Sequence, residues 1–212
     1  MLHDLATLPP GAVPYRVTAE PANYKGRKAL RIALTEEVRN GRPGIDFGDT
    51  ASFVILPIAF RNGTIEVDVL GRLTPQALPD ARAFAGLAYR IAEDRSKFES
   101  VYLRPLNGLK TNPPPPRDKR ALQYFAYPDW RFARLREDYP DGRYEAGADI
   151  AGEEWITLKL DIAEDGVRTS VNGIERLVVR EPKVATTTGA VGLWVDIGTE
   201  GYFSNLRVTP RI

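Results

Sequence analysis

The stretch FAGLAYRI-AEDRSK-FESVYLR, residues 84–104, decides the fold. Two runs rich in aromatic and aliphatic residues flank a short polar link at 92–97. In the first run Leu87, Tyr89 and Ile91 fall on one side, with Ala88 and Arg90 opposite. In the second, Val101 and Leu103 oppose Ser100, Tyr102 and Arg104. Successive side chains of a strand point to opposite faces, so this period of two reads as strand and not as helix. The pair is a β-hairpin with one apolar and one polar face.

Working outward, the same period recurs. Ala29–Leu34, Phe53–Pro57 and Thr64–Leu70 precede the hairpin. Ala121–Tyr127, Trp155–Asp161, Val167–Val171, Glu175–Arg180, Ala190–Ile197 and Gly201–Thr209 follow it. Asn62-Gly63, Asp165-Gly166 and Asn172-Gly173 are turn signals between them. Asn62-Gly63-Thr64 also matches a glycosylation sequon, for which a plain turn is the simpler reading. The segment Trp130–Tyr139 fits either a short helix capped by Asp129 or a structured loop between Pro128 and Pro140. The four prolines after Asn112 favour a rigid extended segment. No repeat or composition break divides the chain. The expectation is one all-β domain over residues 1–212, a jelly-roll β-sandwich of two antiparallel sheets with one short helix at most. Residues 1–15 are expected to be a flexible N-terminal arm.

Composition narrows the chemistry. The 212 residues hold 43% hydrophobic and 27% charged side chains, as a folded globular chain does. The 18 Gly and 17 Pro suit a many-turned β protein. Charge is balanced, 29 Lys+Arg against 28 Asp+Glu, which argues against a nucleic-acid partner. No run of apolar residues is long enough for a membrane helix. The absence of Cys excludes disulfides and thiol catalysis within the chain. His3 is the one His, so neither a Ser-His-Asp triad nor a multi-His metal site can form within one chain. The opening residues lack a signal-peptide pattern. The chain reads as cytoplasmic, or as secreted or periplasmic if a leader has been removed.

Three groups of residues carry a resemblance. The hairpin at 84–104 is similar to the central hairpin of laminin-G-like domains. So is Trp155–Leu160 followed by Val171-Asn172-Gly173. Gly189–Trp194 and Gly201–Val208 look like the closing strands of the same fold. Over roughly residues 50–212 the chain resembles the concanavalin A-like lectin/glucanase superfamily. Within it, the chain is similar to bacterial sugar-binding and 3-keto-disaccharide-hydrolase-like domains. The resemblance implies a saccharide on the concave sheet, but such folds host many functions and the site has to be argued by itself.

Alternation collects Arg90, Tyr102, Arg104, Trp194 and Asp196 on one face, the expected floor of that site. An aromatic residue can stack on a sugar ring, while Arg and Asp bond its hydroxyls. The alternative is a solvated face with cross-strand ion pairs such as Arg104 to Asp196. Gln123, Tyr124 and Trp130 belong to the densest aromatic stretch, residues 123–132, and are expected at the rim. That stretch reads either as a lid with a stacking platform or as a loop anchored by its own aromatics.

Catalysis is left open. Glycoside hydrolysis needs two facing carboxyls. Glu66 and Asp68 share a strand face, but superfamily glucanases resemble E-x-D-x-x-E, and Gly71 stands where the third carboxylate would be. Glu99, Glu137 and Asp196 are further catalytic candidates, with Asp138 and Glu145 near them in sequence. Glu99 alternates onto the apolar side, either in solvent at the hairpin end or buried against an Arg. A lyase built on Tyr102 and Arg104 would lack its usual His. No cofactor is assigned. Related domains often hold calcium in edge loops, for which Glu20, Asp46 and Asp49 are the oxygen donors to consider, although no EF-hand spacing is present. The leading expectation is saccharide binding, followed by a glycoside hydrolase or 3-keto-glycoside-processing enzyme, then a laminin-G-like interaction module. Oligomeric state is not legible.

Overall fold

The computed structural model describes residues 1–211. Its strands in chain order are β1 (Leu2–His3), β2 (Val13–Tyr15), β3 (Val17–Tyr24), β4 (Arg27–Leu34), β5 (Phe53–Phe60), β6 (Asn62–Leu73), β7 (Ala85–Ile91) and β8 (Phe98–Leu103). They continue with β9 (Leu122–Tyr127), β10 (Glu145–Ala146), β11 (Ile156–Ile162), β12 (Val167–Val171), β13 (Ile174–Val179), β14 (Gly189–Val195) and β15 (Thr199–Arg211). One eight-stranded sheet runs β13-β12-β11-β6-β15-β4-β3, with β1 joined to β15. One seven-stranded sheet runs β10-β9-β8-β7-β14-β5-β2. Every strand pair is antiparallel, as a jelly-roll sandwich requires. The 84–104 hairpin is β7–β8, in register from Ala85 with Leu103 to Tyr89 with Glu99.

The core lies between the sheets, where alternation places it. Ile65, Val67 and Val69 of β6 and Ile156, Leu158 and Leu160 of β11 are fully or almost fully buried. So are Val54, Leu87, Val101 and Leu193 of the seven-stranded sheet. Each such side chain contributes roughly 1.5–3 kcal/mol by leaving water.

The seven-stranded sheet is buried on its second face as well. Phe53, Phe98, Phe125 and Trp194 on that face have no exposed surface. Their rings interlock, with centroids 5.2 Å apart for Phe53–Phe98, 5.6 Å for Phe98–Phe125 and 5.4 Å for Phe125–Trp194. Residues 47–52 and the helix α2 (Phe132–Asp138) contribute Phe47, Ala51 and Leu135 to the same apolar cluster. A second single-turn helix, α1 (Glu36–Arg39), is capped by Thr35 and adds to the one short helix expected.

Three local expectations are corrected. The N-terminal stretch is seated rather than free: β1 pairs with β15, β2 pairs with β5, and Leu5 is fully buried. Asn62-Gly63 does not turn a hairpin, because β5 and β6 belong to different sheets and the chain crosses between them at Arg61. Gly63, at φ +136°, lies where a Cβ would come within 2.2 Å of the Thr209 carbonyl oxygen, so β6 meets β15 there only with a glycine. Asp129 does not cap α2. The first helical N–H, that of Phe132, donates 2.8 Å to Asp49 Oδ2 from a distant loop.

Candidate functional site

At one end of the seven-stranded sheet a cavity of about 650 Å³ opens between loops. The end of β8 supplies Tyr102 and the adjoining Arg104. Phe84 precedes β7 and Asp196 follows β14. Residues 43–49 and the start of α2 form one wall, with Phe47, Asp49, Arg131, Phe132 and Arg136. The 3-10 turns Pro105–Asn107 and Arg117–Lys119 present Asn107, Arg117 and Arg120 opposite, while the loop before β7 brings Asp80 and Arg82.

A buried ionic network holds the floor. Arg104 Nη1 donates 2.7 Å to Glu145 Oε1, and its Nη2 donates 2.7 Å to the Tyr102 hydroxyl and 3.1 Å to Gln123 Oε1. Arg136 grips the same carboxylate with two bonds of 2.5 and 3.0 Å, and Arg120 Nε stands 3.4 Å from it. Burial by itself would raise the Glu145 carboxyl, but the Arg136 and Arg104 guanidiniums outweigh it and hold the group below its ordinary range.

Beside this network lie two acids. Asp196 accepts backbone N–H bonds from Gly48 at 3.0 Å, Asp49 at 2.8 Å and Ile197 at 2.7 Å. It pins the 43–49 wall to the sheet. Burial still raises it above the ordinary carboxyl range. Asp49 is pushed up to about 6, first by burial and then by the charge of Asp196, against the N–H bond from Phe132. An acid whose folded value exceeds its unfolded one favours the fold while protonated, and that advantage fades as pH rises between the two values. Asp49→Asn keeps an acceptor for Phe132 and removes the charge. Its stability relative to wild type should therefore climb between about pH 4 and 6, by an order of 3 kcal/mol for a shift of this size. Thermal unfolding of both proteins at pH 4 and pH 7.5 checks this. A pH-independent difference would refute the titration.

The structure assembles part of the expected site. Tyr102, Arg104 and Asp196 line the cavity together. Gln123 is fully buried beneath Arg104, which makes it a support rather than a rim residue. Trp194 is on the expected face, yet it lies under the wall with its Nε1–H bonded to Thr50 O at 2.8 Å and no surface to offer a sugar.

Arg90 does not belong to this face. At φ +53° beside a register shift, it breaks the alternation and turns into the gap between the sheets. There it donates 2.7 Å to Glu99 and 2.8 Å to the carbonyls of Arg61 and Ala163. Tyr124 is on the core side too, donating 2.7 Å to Glu99 Oε1. Glu99 is thus the buried partner of an Arg, away from the cavity and raised by its burial. Trp130 is absent from the cavity lining and packs instead against Arg134 and Lys183, with the Arg134 guanidinium 3.9 Å from the ring centre. The expected ion pair of Arg104 is with Glu145, not Asp196.

The other carboxylate candidates also fall outside. Glu66 and Asp68 share the outer face of β6 in the other sheet. Asp68 is occupied by Arg27 at 2.7 Å and Thr157 at 2.6 Å, and Glu66 faces Arg207 at 3.7 Å. Glu137 and Asp138 are exposed on α2. Of the calcium-donor residues, Asp46 is taken by Arg16 and the Arg42 N–H, Glu20 faces Arg31, and Asp49 is in the cavity. Among the described residues no three acidic or His side chains converge.

Arg131 and Phe132 fall in the stretch read as a lid, with Arg136 just beyond it, but Phe84, Asn107, Arg82, Arg117 and Arg120 were not legible as site residues. They sit on loops that period-two reasoning does not reach. The density of Arg between 117 and 136 was the available signal.

No protein-family model matches the chain, and no curated protein matches it by sequence. Solved structures do match in fold. The carbohydrate binding module CBM66 from Bacillus subtilis superposes with a TM-score of 0.61 at 14% identity, over 92% of this chain and 93% of that one. A Bacillus subtilis protein of unknown function with a galectin-like fold gives 0.59 at 10% identity, over 100% and 96%. A Bacillus licheniformis β-glucanase gives 0.57 at 11%, over 100% and 98%. With its two antiparallel sheets and these counterparts, the chain has the concanavalin A-like lectin/glucanase fold.

Proposed function

We propose that the protein binds a saccharide in the cavity bounded by Phe84, Tyr102, Asn107 and Phe132. The observation that carries this is the mixture of ring faces and directional polar groups in one concave space. Phe84 and Phe132 are half-buried; Phe84 offers its ring to a sugar, while the Phe132 ring lies under the Arg136 and Arg104 guanidiniums, 4.9 and 5.5 Å from its centre. Asn107 is almost fully buried, its amide N–H₂ donates 3.1 Å to Arg120 O, and its Oδ1 has no partner. Carbohydrate binding and β-glucanase activity in the names of structural counterparts support the class of ligand.

Titration calorimetry against a panel of neutral and acidic oligosaccharides tests the reading. Phe84→Ala should weaken any ligand found by roughly five- to tenfold, the worth of one stacked ring contact, with the fold intact. Unchanged affinity would place the ligand elsewhere.

A second reading, hydrolysis of the bound saccharide, has one feature in its favour. Asp49 is held as an acid to about pH 6 next to a second carboxyl in the same cavity. Product analysis of each bound oligosaccharide separates the two, since binding without turnover retires the hydrolase.

A further inference from the structure

We propose that the saccharide taken by this cavity is acidic, its anionic group seated against Arg82, Arg117 and Arg120. This rests on the saccharide reading above and adds the ligand's charge. Six guanidiniums line the cavity: Arg82, Arg104, Arg117, Arg120, Arg131 and Arg136. Facing them are the carboxyls of Asp49, Asp80 and Asp196, with Glu145 in the floor. The positive excess is therefore concentrated here, in a chain whose whole formal charge is +1.

The excess is also unevenly shared. Glu145 is claimed by Arg104 and Arg136 at 2.5–2.7 Å, which leaves Arg120 a long 3.4 Å contact. Asp196 is filled by three backbone N–H groups and Asp49 by that of Phe132. Among the described residues, no carboxylate lies within ion-pair distance of Arg82 or Arg117. Arg82 is fixed by the carbonyls of Pro79 and Ala81 at 2.8 and 2.7 Å. Its guanidinium is pushed down by burial and then by the charge of Arg117, and that of Arg120 by burial and then by Arg136. The arginines thus repel one another across a partly dehydrated space.

A folded protein holds such a cluster at a cost that an anion would relieve. Guanidinium forks match the oxygens of a carboxylate or sulfate with paired N–H donors.

The test is calorimetry of the full chain with tri-galacturonic acid, its methyl ester and a sulfated galactose oligosaccharide, at low and at 0.5 M salt. The ester keeps the sugar's shape and removes its charge. The expected result is that the acid or the sulfated sugar binds at least tenfold more tightly than the ester, and that salt narrows the gap. Preference for the acid identifies a carboxylate as the anion, and preference for the sulfated sugar identifies sulfate. Arg117→Ala, at a half-exposed position, should cost the charged ligand about tenfold and leave the ester unaffected. If neither the acid nor the sulfated sugar binds more tightly than the ester, the inference is overturned and saccharide binding stands. A charged ligand indifferent to Arg117→Ala overturns the proposed seat. Binding of none of the three, where neutral sugars in the panel bind, overturns the acidic class. If no sugar binds at all, the saccharide reading itself falls.

Discussion

Trp194→Ala should lower the unfolding free energy by about 3–5 kcal/mol, the usual loss for truncating a fully buried Trp. The indole touches Tyr102 at 4.7 Å and Phe125 at 5.4 Å between centroids, and no part of it reaches solvent. Truncation opens a void beneath the cavity floor and also takes from the Thr50 carbonyl its 2.8 Å indole donor, leaving it the Ser52 hydroxyl at 3.4 Å. Losing the shorter bond adds to the cost. Trp194→Phe keeps a ring in the stack and should recover a large part of the loss. Urea denaturation of the two variants measures this. Were Trp194 an exposed stacking platform, the alanine variant would keep its unfolding free energy and lose only ligand. An unchanged denaturation midpoint would therefore contradict the burial.

That contrast shows where sequence reading reached and where it stopped. Hairpin β7–β8, the β11–β12–β13 meander and the closing strands β14 and β15 were legible because each has one face in the core. Period two is then written directly into the residues. The face of Trp194 and Tyr102 was read correctly for the same reason. What alternation cannot report is whether a loop covers that face. Residues 47–52 and α2 do so, carrying Phe47, Ala51 and Leu135 onto the aromatic layer. A face that reads as solvent-facing becomes a second core.

The cavity was less legible for a related reason. Most of its polar groups come from loops, and loop positions have no period. Asp49 stood out only as an oxygen donor in a turn. Its partners, the Phe132 N–H and Asp196, are 83 and 147 residues away in the chain. Arg82, Arg117 and Arg120 converge only because 3-10 turns after β8 fold the proline-rich segment back over the sheet end. The strand rule itself failed at Arg90, where one residue at positive φ reverses the side chain's direction.

Arg90→Met should cost about 3–5 kcal/mol, the usual penalty for stranding one member of a buried ion pair. The side chains of Arg90 and Glu99 are 1% and 0% exposed and 2.7 Å apart. Arg90 also satisfies the Arg61 and Ala163 carbonyls and bonds Asn62 Oδ1 at 2.9 Å, tying β7 to the connections of the other sheet. With the guanidinium gone, Glu99 keeps the Tyr124 hydroxyl but no counter-charge. Burial already raises this carboxyl, and losing Arg90 raises it further. The variant's fold then holds a proton that wild type releases at lower pH, so its deficit should shrink as pH falls from 7.5 toward 5. The double variant Arg90→Met/Glu99→Gln removes both charges and should recover much of the loss at pH 7.5. Ligand affinity should be unchanged, since neither residue lines the cavity. Denaturation at the two pH values, read beside calorimetry, separates the roles. A loss of affinity with full stability would return Arg90 to the ligand site, while a loss of stability that protonation and Glu99→Gln both relieve fixes it as the clamp between the two sheets.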